Sequence, residues 1–463
     1  MRVQCRIAVM TAAICCLLTG CYPAALDSEQ QSRLEDAEYS DVVRGTSAEY
    51  TYSVENSGIF YLAKNHGALA YYDFDTEDNY ILCSSPNCEH NDSSCPVYVG
   101  DHYRNYSFAY YGGRLYLLKR DGYDSAKIEL VSMDAGGQNQ KTVATLDAGE
   151  YTLGSWAVNS IDPVYFTGNK ALLTVDYTQP AAEENSGNVQ GMQLLIIDLT
   201  DGSITDLTGI LRYNIDAVRV LFELVTEQFA VYEIVKYETP YLFEWEYEEK
   251  YGEEAFQQNY QEYYADYMNH TEASVIYRAV NLQTGEISEV WSGQMYPSYW
   301  ESGSLPTMLG PNFTFSYEGC LYYTPAENLH GPESTYEAEN VNLEIHKVDP
   351  ETGEDTVLEP FAEPMEDYWY IEQSSNGGYR YSEDEILVCN DFHQEETFCL
   401  YLYSLAANEL TEITREIDRN LTIWGMTDDR VIQSRSYNKP SWITKEDFKK
   451  GEFNRTVKIN LEW

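Results

Sequence analysis

Basic residues are scarce in this chain. Its 29 lysines and arginines face 76 aspartates and glutamates, a formal net charge of −47 over 463 residues. Such a field repels phosphate backbones and bare anionic lipid, so nucleic acid is excluded as a partner. After residue 18 no apolar run approaches the ~20 residues that a transmembrane helix needs. Three catalytic signatures are missing: the Gly-x-Ser-x-Gly nucleophile elbow, a phosphate-cradling glycine loop ahead of a helix, and His-Glu-x-x-His. Asp73-x-Asp75-x-Glu77 comes nearest to a calcium loop, but no glycine stands at its sixth place and Ser84 occupies the place of the bidentate glutamate. It reads as a hairpin turn.

The N-terminus carries an export signal. Arg2 and Arg6 precede the apolar run Ile7 to Leu18, which is too short to span a bilayer. It ends in Leu18-Thr19-Gly20-Cys21, which resembles the lipobox of bacterial lipoproteins. That resemblance implies cleavage before Cys21 and a diacylglyceryl group on its sulfur, with two or three palmitate-like chains for stable anchoring. The expected location is the extracytoplasmic face of the cell membrane, anchored without spanning. Residues 22–48 are polar and lack strand alternation, so the expected organisation is signal 1–20, lipidated cysteine and flexible tether 21–48, and one domain over 49–463.

That domain repeats itself. A polar turn followed by a short apolar strand recurs seven times, at Ser57-Gly58-Ile59, Gly112-Gly113-Arg114-Leu115, and ahead of Ala171, Phe229, Cys320, Ile386 and Val431. Downstream of each comes an Asp/Asn-led turn, as in Asp198-Leu199-Thr200-Asp201-Gly202, Asn281-Leu282-Gln283-Thr284-Gly285 and Asp349-Pro350-Glu351-Thr352-Gly353. Turns of this chemistry between alternating strands are hairpins, and radial repetition of hairpins is a β-propeller. The predicted fold is all-β, a single propeller of seven four-stranded blades, with six blades and irregular ends as the competing count. The first motif joins strands one and two of a blade, and the second joins three and four. The last unit lacks a visible fourth strand after Leu461, which predicts closure by a strand borrowed from residues 41–52. Tyrosine is heavily used, 42 copies against 15 phenylalanines, as expected where a ring is buried and its hydroxyl finds a partner.

Insertions fall on one face. The largest, about 238–272 in blade four, carries Phe256, Tyr260, Tyr263, Tyr264 and Tyr267 at helical spacing. Such a stripe either packs on the propeller or forms a platform for a ligand, with Tyr260, Tyr263, Tyr264 and Tyr267 as the candidate contacts. Other long loops are expected at 178–191, 325–340 and 437–454, and length concentrated on one face marks it as the binding face.

The sharpest motif is Cys83-Ser84-Ser85-Pro86-Asn87-Cys88-Glu89-His90-Asn91-Asp92-Ser93-Ser94-Cys95, a C-x4-C-x-H-x4-C spacing expected in a link on the long-loop face. Cys83, Cys88, His90 and Cys95 form a possible zinc set. The favoured alternative is one disulfide with the third cysteine free or paired elsewhere, which an exported compartment allows. Either crosslink would hold a loop too short and polar to hold itself.

This cysteine motif, the export signal and the closing Trp442-Ile443-Thr444-Lys445-Glu446-Asp447-Phe448 resemble a family of exported lipoproteins of gut Firmicutes. The blades resemble the low-density-lipoprotein-receptor-like propeller domain of unknown function in that group. The resemblance implies a surface-anchored propeller and brings no catalytic residues. The sequence reading is therefore a membrane-anchored binding or interaction module for a protein or carbohydrate ligand. The alternative is a glycan-active enzyme using carboxylates on the long-loop face.

Overall fold

The computed structural model describes residues 24–37, 40–46, 52–63, 67–99, 106–120, 127–147, 157–179, 189–213, 216–217, 219–237, 242, 244–270, 273–295, 297–298, 307–308, 311–324, 345–358, 368–371, 381–391, 397–418, 421–434 and 439–461. Seven four-stranded antiparallel sheets follow one another along the chain and form a β-propeller. Blade one spans Tyr52–Ile81, blade two Tyr106–Asp147, blade three Ala157–Asp206 and blade four Arg219–Met295. Blades five, six and seven span Asn312–Leu358, Tyr368–Asp418 and Thr422–Lys458.

The repeated turns have a common chemistry. In blade three the Asp198 carboxylate accepts the Thr200 amide at 2.8 Å, and in blade four Asn281 accepts Gln283 and Thr284 at 2.9 and 3.1 Å. Asp349 repeats this in blade five. Asp73 accepts Asp75 and Thr76 in blade one, so the calcium-like spacing there is this same turn. The fifth residue of each turn must take a left-handed backbone, with φ +77° at Gly202 and +71° at Gly353. Between the strands sits an aromatic core. Tyrosines make up seven of the eleven largest fully buried side chains, and several bury the ring while keeping the hydroxyl bonded. Tyr61 reaches Asn79, Tyr71 the Ser57 carbonyl and Tyr177 Gln193.

Closure departs from the sequence expectation. Blade seven supplies its own four strands, Thr422–Met426, Arg430–Ser434, Pro440–Thr444 and Val457–Lys458. The third of these was hidden because a helix, Lys445–Lys449, and a 3-10 turn, Phe453–Arg455, separate it from the fourth. Most of the expected 437–454 loop therefore lies between strands three and four, on the tight-turn side. Its helix is capped by Thr444, which accepts the Asp447 amide at 3.1 Å, and it buries Phe448 completely against Tyr381 and Phe453. The ring closes by side-chain contact. Tyr52 stacks on Trp424 at 4.2 Å, Asn56 and Asp428 exchange two hydrogen bonds, and Asn79 donates to the Asn460 carbonyl.

The expected tether is also largely docked. Ala24–Ala25 add a parallel strand outside Asn79–Ile81, and Ser28–Glu35 form a helix capped by Asp27. Leu26 and Leu34 bury themselves in the blade-one cluster, and Arg33 pairs with Asp75 at 2.9 Å. Val42–Arg44 then run antiparallel along the inner edge of blade three, pairing with Tyr165–Thr167. Gly45 donates to the Val164 carbonyl and Thr46 to the Phe108 carbonyl, while Ser53 of blade one donates to Arg44. This strap touches the inner strands of three blades. The sequence reading placed a strand within 41–52 but assigned it to blade seven, because three residues carry no signal of which blade they join.

Two predictions follow from these contacts. A Cβ at Gly202 would stand 2.1 Å from the Val143 carbonyl of blade two, whereas one at Gly353 would meet open space. Gly353→Ala should cost about 1 kcal/mol for its backbone conformation alone. Gly202→Ala should cost at least about 3 kcal/mol in denaturant unfolding, because backbone must move. The second concerns Glu55, which is 2% exposed beside the strap and accepts the Ser40 amide at 3.3 Å. Burial pushes its carboxyl up from 4.5 to about 8. Between those values the folded chain keeps a proton that the unfolded chain has lost, so this group lowers stability as pH rises through that window. Glu55→Gln should flatten that decline and gain on the order of 3 kcal/mol at pH 7, measured by unfolding at pH 5, 7 and 9.

Candidate metal centre

Cys83 directly follows blade one, where Leu82 still bonds to Leu69 of the third strand. The chain then leaves the sheet, and Val97 and Val99 return it to the same strand, at Leu69 and Gly67. The intervening loop carries the other three candidate ligands. The side-chain donor atoms of Cys83, Cys88, His90 and Cys95 all lie within 4.8 Å of one another. Cys95 Sγ stands 3.6 Å from His90 Nδ1. An ideal tetrahedron around a zinc ion has ligand-to-ligand edges of about 3.5–3.8 Å, given its metal–sulfur and metal–nitrogen bonds. The four groups picked from sequence are thus brought together in one cluster.

The loop belongs to the link between blades one and two. It is wedged into the seam between blades one and two. Ser84 donates its amide to the Gly136 carbonyl, Gln138 donates to Ser85, and Gln140 donates to the Pro96 carbonyl. These partners belong to the turn between strands three and four of blade two. Cys83 and Cys95 are buried in the core cluster with Leu82, Val97 and Met133, while Cys88 and His90 come from the more exposed lobe. Asn87 and His90 both have left-handed backbones, φ 61° and 56°. Asn and His are among the residues that tolerate this region, and the His90 ring lies beside Cys95.

The electrostatics of the cluster are those of thiols in mutual contact. Hydrogen bonding from Cys95 holds the Cys83 thiol down to about 5, aided by the Ser85 amide. The same contact, with burial, pushes the Cys95 thiol up. All three cysteines are free thiols in the structure. Three thiols and an imidazole offer soft and borderline donors of the kind that hold first-row divalent ions.

Of the four tyrosine candidates, Tyr260 and Tyr263 lie within the described side chains and pack inside the insertion. The insertion folds as two helices, Glu244–Tyr251 and Glu253–His270, joined at Gly252. Tyr260 is buried, its ring 5.5 Å from that of Tyr247 on the other helix. Tyr263 lies 4.8 Å from Tyr247, and its hydroxyl accepts the Leu242 amide. Tyr260 and Tyr263 thus meet the partner helix through Tyr247, a contact the sequence reading overlooked. The side chains of Tyr264 and Tyr267 lie outside the described residues.

Two polar clusters were invisible in sequence because they form only when strands pair. Glu233, fully buried, pairs with Arg219 and accepts from the Tyr277 hydroxyl at 3.0 Å. Burial and the nearby Glu233 push the Glu223 carboxyl up to about 8. In blade five the Tyr323 hydroxyl donates to Asp355 at 2.6 Å, and His346 Nδ1 stands 3.0 Å from the same carboxylate. Tyr277 lies 5.1 Å from Phe313, itself 5.1 Å from Tyr323, so both clusters border one seam. Their charged groups pair within each cluster, which is the arrangement of packed seams.

No protein-family model matches the chain, and no curated protein is significantly similar to it. Among solved structures it is similar to an oligogalacturonate lyase in complex with manganese, at 12% identity and a TM-score of 0.35, covering 87% of this chain and 89% of that one. It is also similar to a complex of S. cerevisiae Dbp5 with Nup159 and Gle1, at 11% identity and a TM-score of 0.31, covering 89% of each chain. Likeness at this level contributes nothing to the assignment of chemistry.

Proposed function

We propose that this chain is a lipid-anchored, extracytoplasmic binding module whose contact element is the helical arm of blade four. The arm carries the reading. It rises from a closed hairpin ladder, where Tyr237 pairs with Ala273 and Lys236 with Ser274. Among its described residues, Tyr247, Tyr260 and Tyr263 pack on one another across the two helices, so these rings support the arm from within. Its outer surface is acidic, with Glu248, Glu249, Glu253, Glu254 and Glu262 exposed, and Tyr251 is 51% exposed among them. A helical insertion with its own aromatic contacts and an exposed acidic surface suits a recognition element. The occupant that fits is a protein surface carrying basic residues around an apolar spot. Export and anchoring rest on Arg2, Arg6, the apolar run and Leu18-Thr19-Gly20-Cys21.

Replacing residues 239–271 by a short turn should leave the melting temperature within about 2 °C, because the ladder below remains intact. A photo-cross-linking side chain at Tyr251 should give one discrete adduct on intact cells, abolished when Glu248, Glu249 and Glu254 are changed together to lysine. Absence of any adduct, or adducts indifferent to the charge reversal, would remove the arm from the reading. Cys21→Ser should release the chain from the membrane fraction or stop its maturation. Wild-type membrane retention after normal processing would refute the anchor.

A further inference from the structure

We propose that Cys83, Cys88, His90 and Cys95 bind one zinc ion in a closed structural site that clamps blade one to blade two. The donor count comes first. Three thiolates and one imidazole fill a tetrahedron and leave no position for water or substrate, which is the pattern of structural rather than catalytic zinc. A disulfide would use two sulfurs and leave the third, together with His90, in the same cluster. It would account for neither the approach of His90 Nδ1 to Cys95 nor the left-handed backbone that brings the imidazole there. A single ion accounts for all four groups.

The loop's composition points the same way. Pro86, Asn87, Glu89, Asn91, Asp92, Ser93 and Ser94 are all exposed, so the lobe buries almost nothing that would order it. Two ligands are fixed in the core and two belong to this lobe, so the ion would weld the lobe to the core. Zinc has no redox chemistry and no geometric demand beyond the ligands offered. The lobe in turn presents Ser84 and Ser85 to the turn of blade two, and the same turn packs beneath Gln31 of the N-terminal helix, since a Cβ at Gly136 would stand 2.8 Å from Gln31 Oε1. Losing the metal should therefore loosen three parts at once: the lobe, the seam and the docked N-terminal helix. This inference stands apart from the binding arm and the anchor.

The mature full-length chain, purified without chelator, should contain one zinc per chain by elemental analysis. Cobalt(II) exchanged into it should give thiolate-to-metal charge transfer and the intense visible bands of tetrahedral coordination. Cys88→Ser and His90→Ala, both in the exposed lobe, should lower zinc content at least fivefold, while Cys320→Ser should leave it unchanged. Cys88→His should retain the metal with weakened charge transfer. Chelation of the wild-type chain should lower the melting temperature by more than about 5 °C and speed hydrogen exchange in residues 28–35 and 134–140. Wild-type protein free of metal would overturn the proposal, whether mass spectrometry of unreduced peptides found two of the three cysteines joined or all three open to alkylation. Stoichiometric zinc that survives both lobe substitutions would overturn it equally, since the ion would then lie elsewhere.

Discussion

The contact between blades seven and one decides whether the ring is closed. Propellers often share a blade between the two ends of the chain, so that backbone ladders lock the circle. Here each blade is continuous in sequence, and the lock is made of side chains. The Tyr52–Trp424 stack, the paired amide and carboxylate of Asn56 and Asp428, and the Arg430 guanidinium over Phe74 supply it. Each such contact is worth about 1 kcal/mol, small beside a backbone ladder. The strap at Val42–Thr46 compensates from inside, bonding to the inner strands of blades one, two and three. A closed ring thus depends on aromatic stacking at one seam and on a short segment along the axis.

Charge sets a second condition. A chain with 76 acids against 29 bases repels itself, and its few cations are used where carboxylates crowd. Arg33 sits between Asp73 and Asp75, Lys449 meets Glu385, and Arg455 meets Asp447. These surface pairs add little each. Cohesion comes from the apolar and aromatic interior, where tyrosine serves because its hydroxyl can still bond when the ring is buried.

Much of the architecture was legible because it is written in local chemistry. Asp73, Asp198, Asn281 and Asp349 announce turns through bonds to amides two and three residues away, and the residue that follows must accept a left-handed backbone. Such signals need no knowledge of the rest of the fold. The metal-ligand candidates were legible for the same reason, since all four lie within one short loop. What escaped notice was long-range. The strap pairs residues 42–44 with 165–167, the third strand of blade seven is set off from the fourth by a helix, and Tyr247 meets Tyr260 from a separate helix. The Glu233 and Asp355 clusters likewise exist only once strands far apart in sequence lie side by side.

The strap also imposes an order of assembly. Its partner strand in blade three lies more than a hundred residues further along the chain, so no ribosome-side or export-side intermediate lacking that strand can seat it. Closing so long a loop costs entropy that is recovered only when the inner edge of blade three is already formed. Val43 and Thr46 must stay unburied while blades one to three are built, and then enter a channel whose walls are in place. Residues 42–46 are thus made before their partner strand and are among the last to find their final contacts.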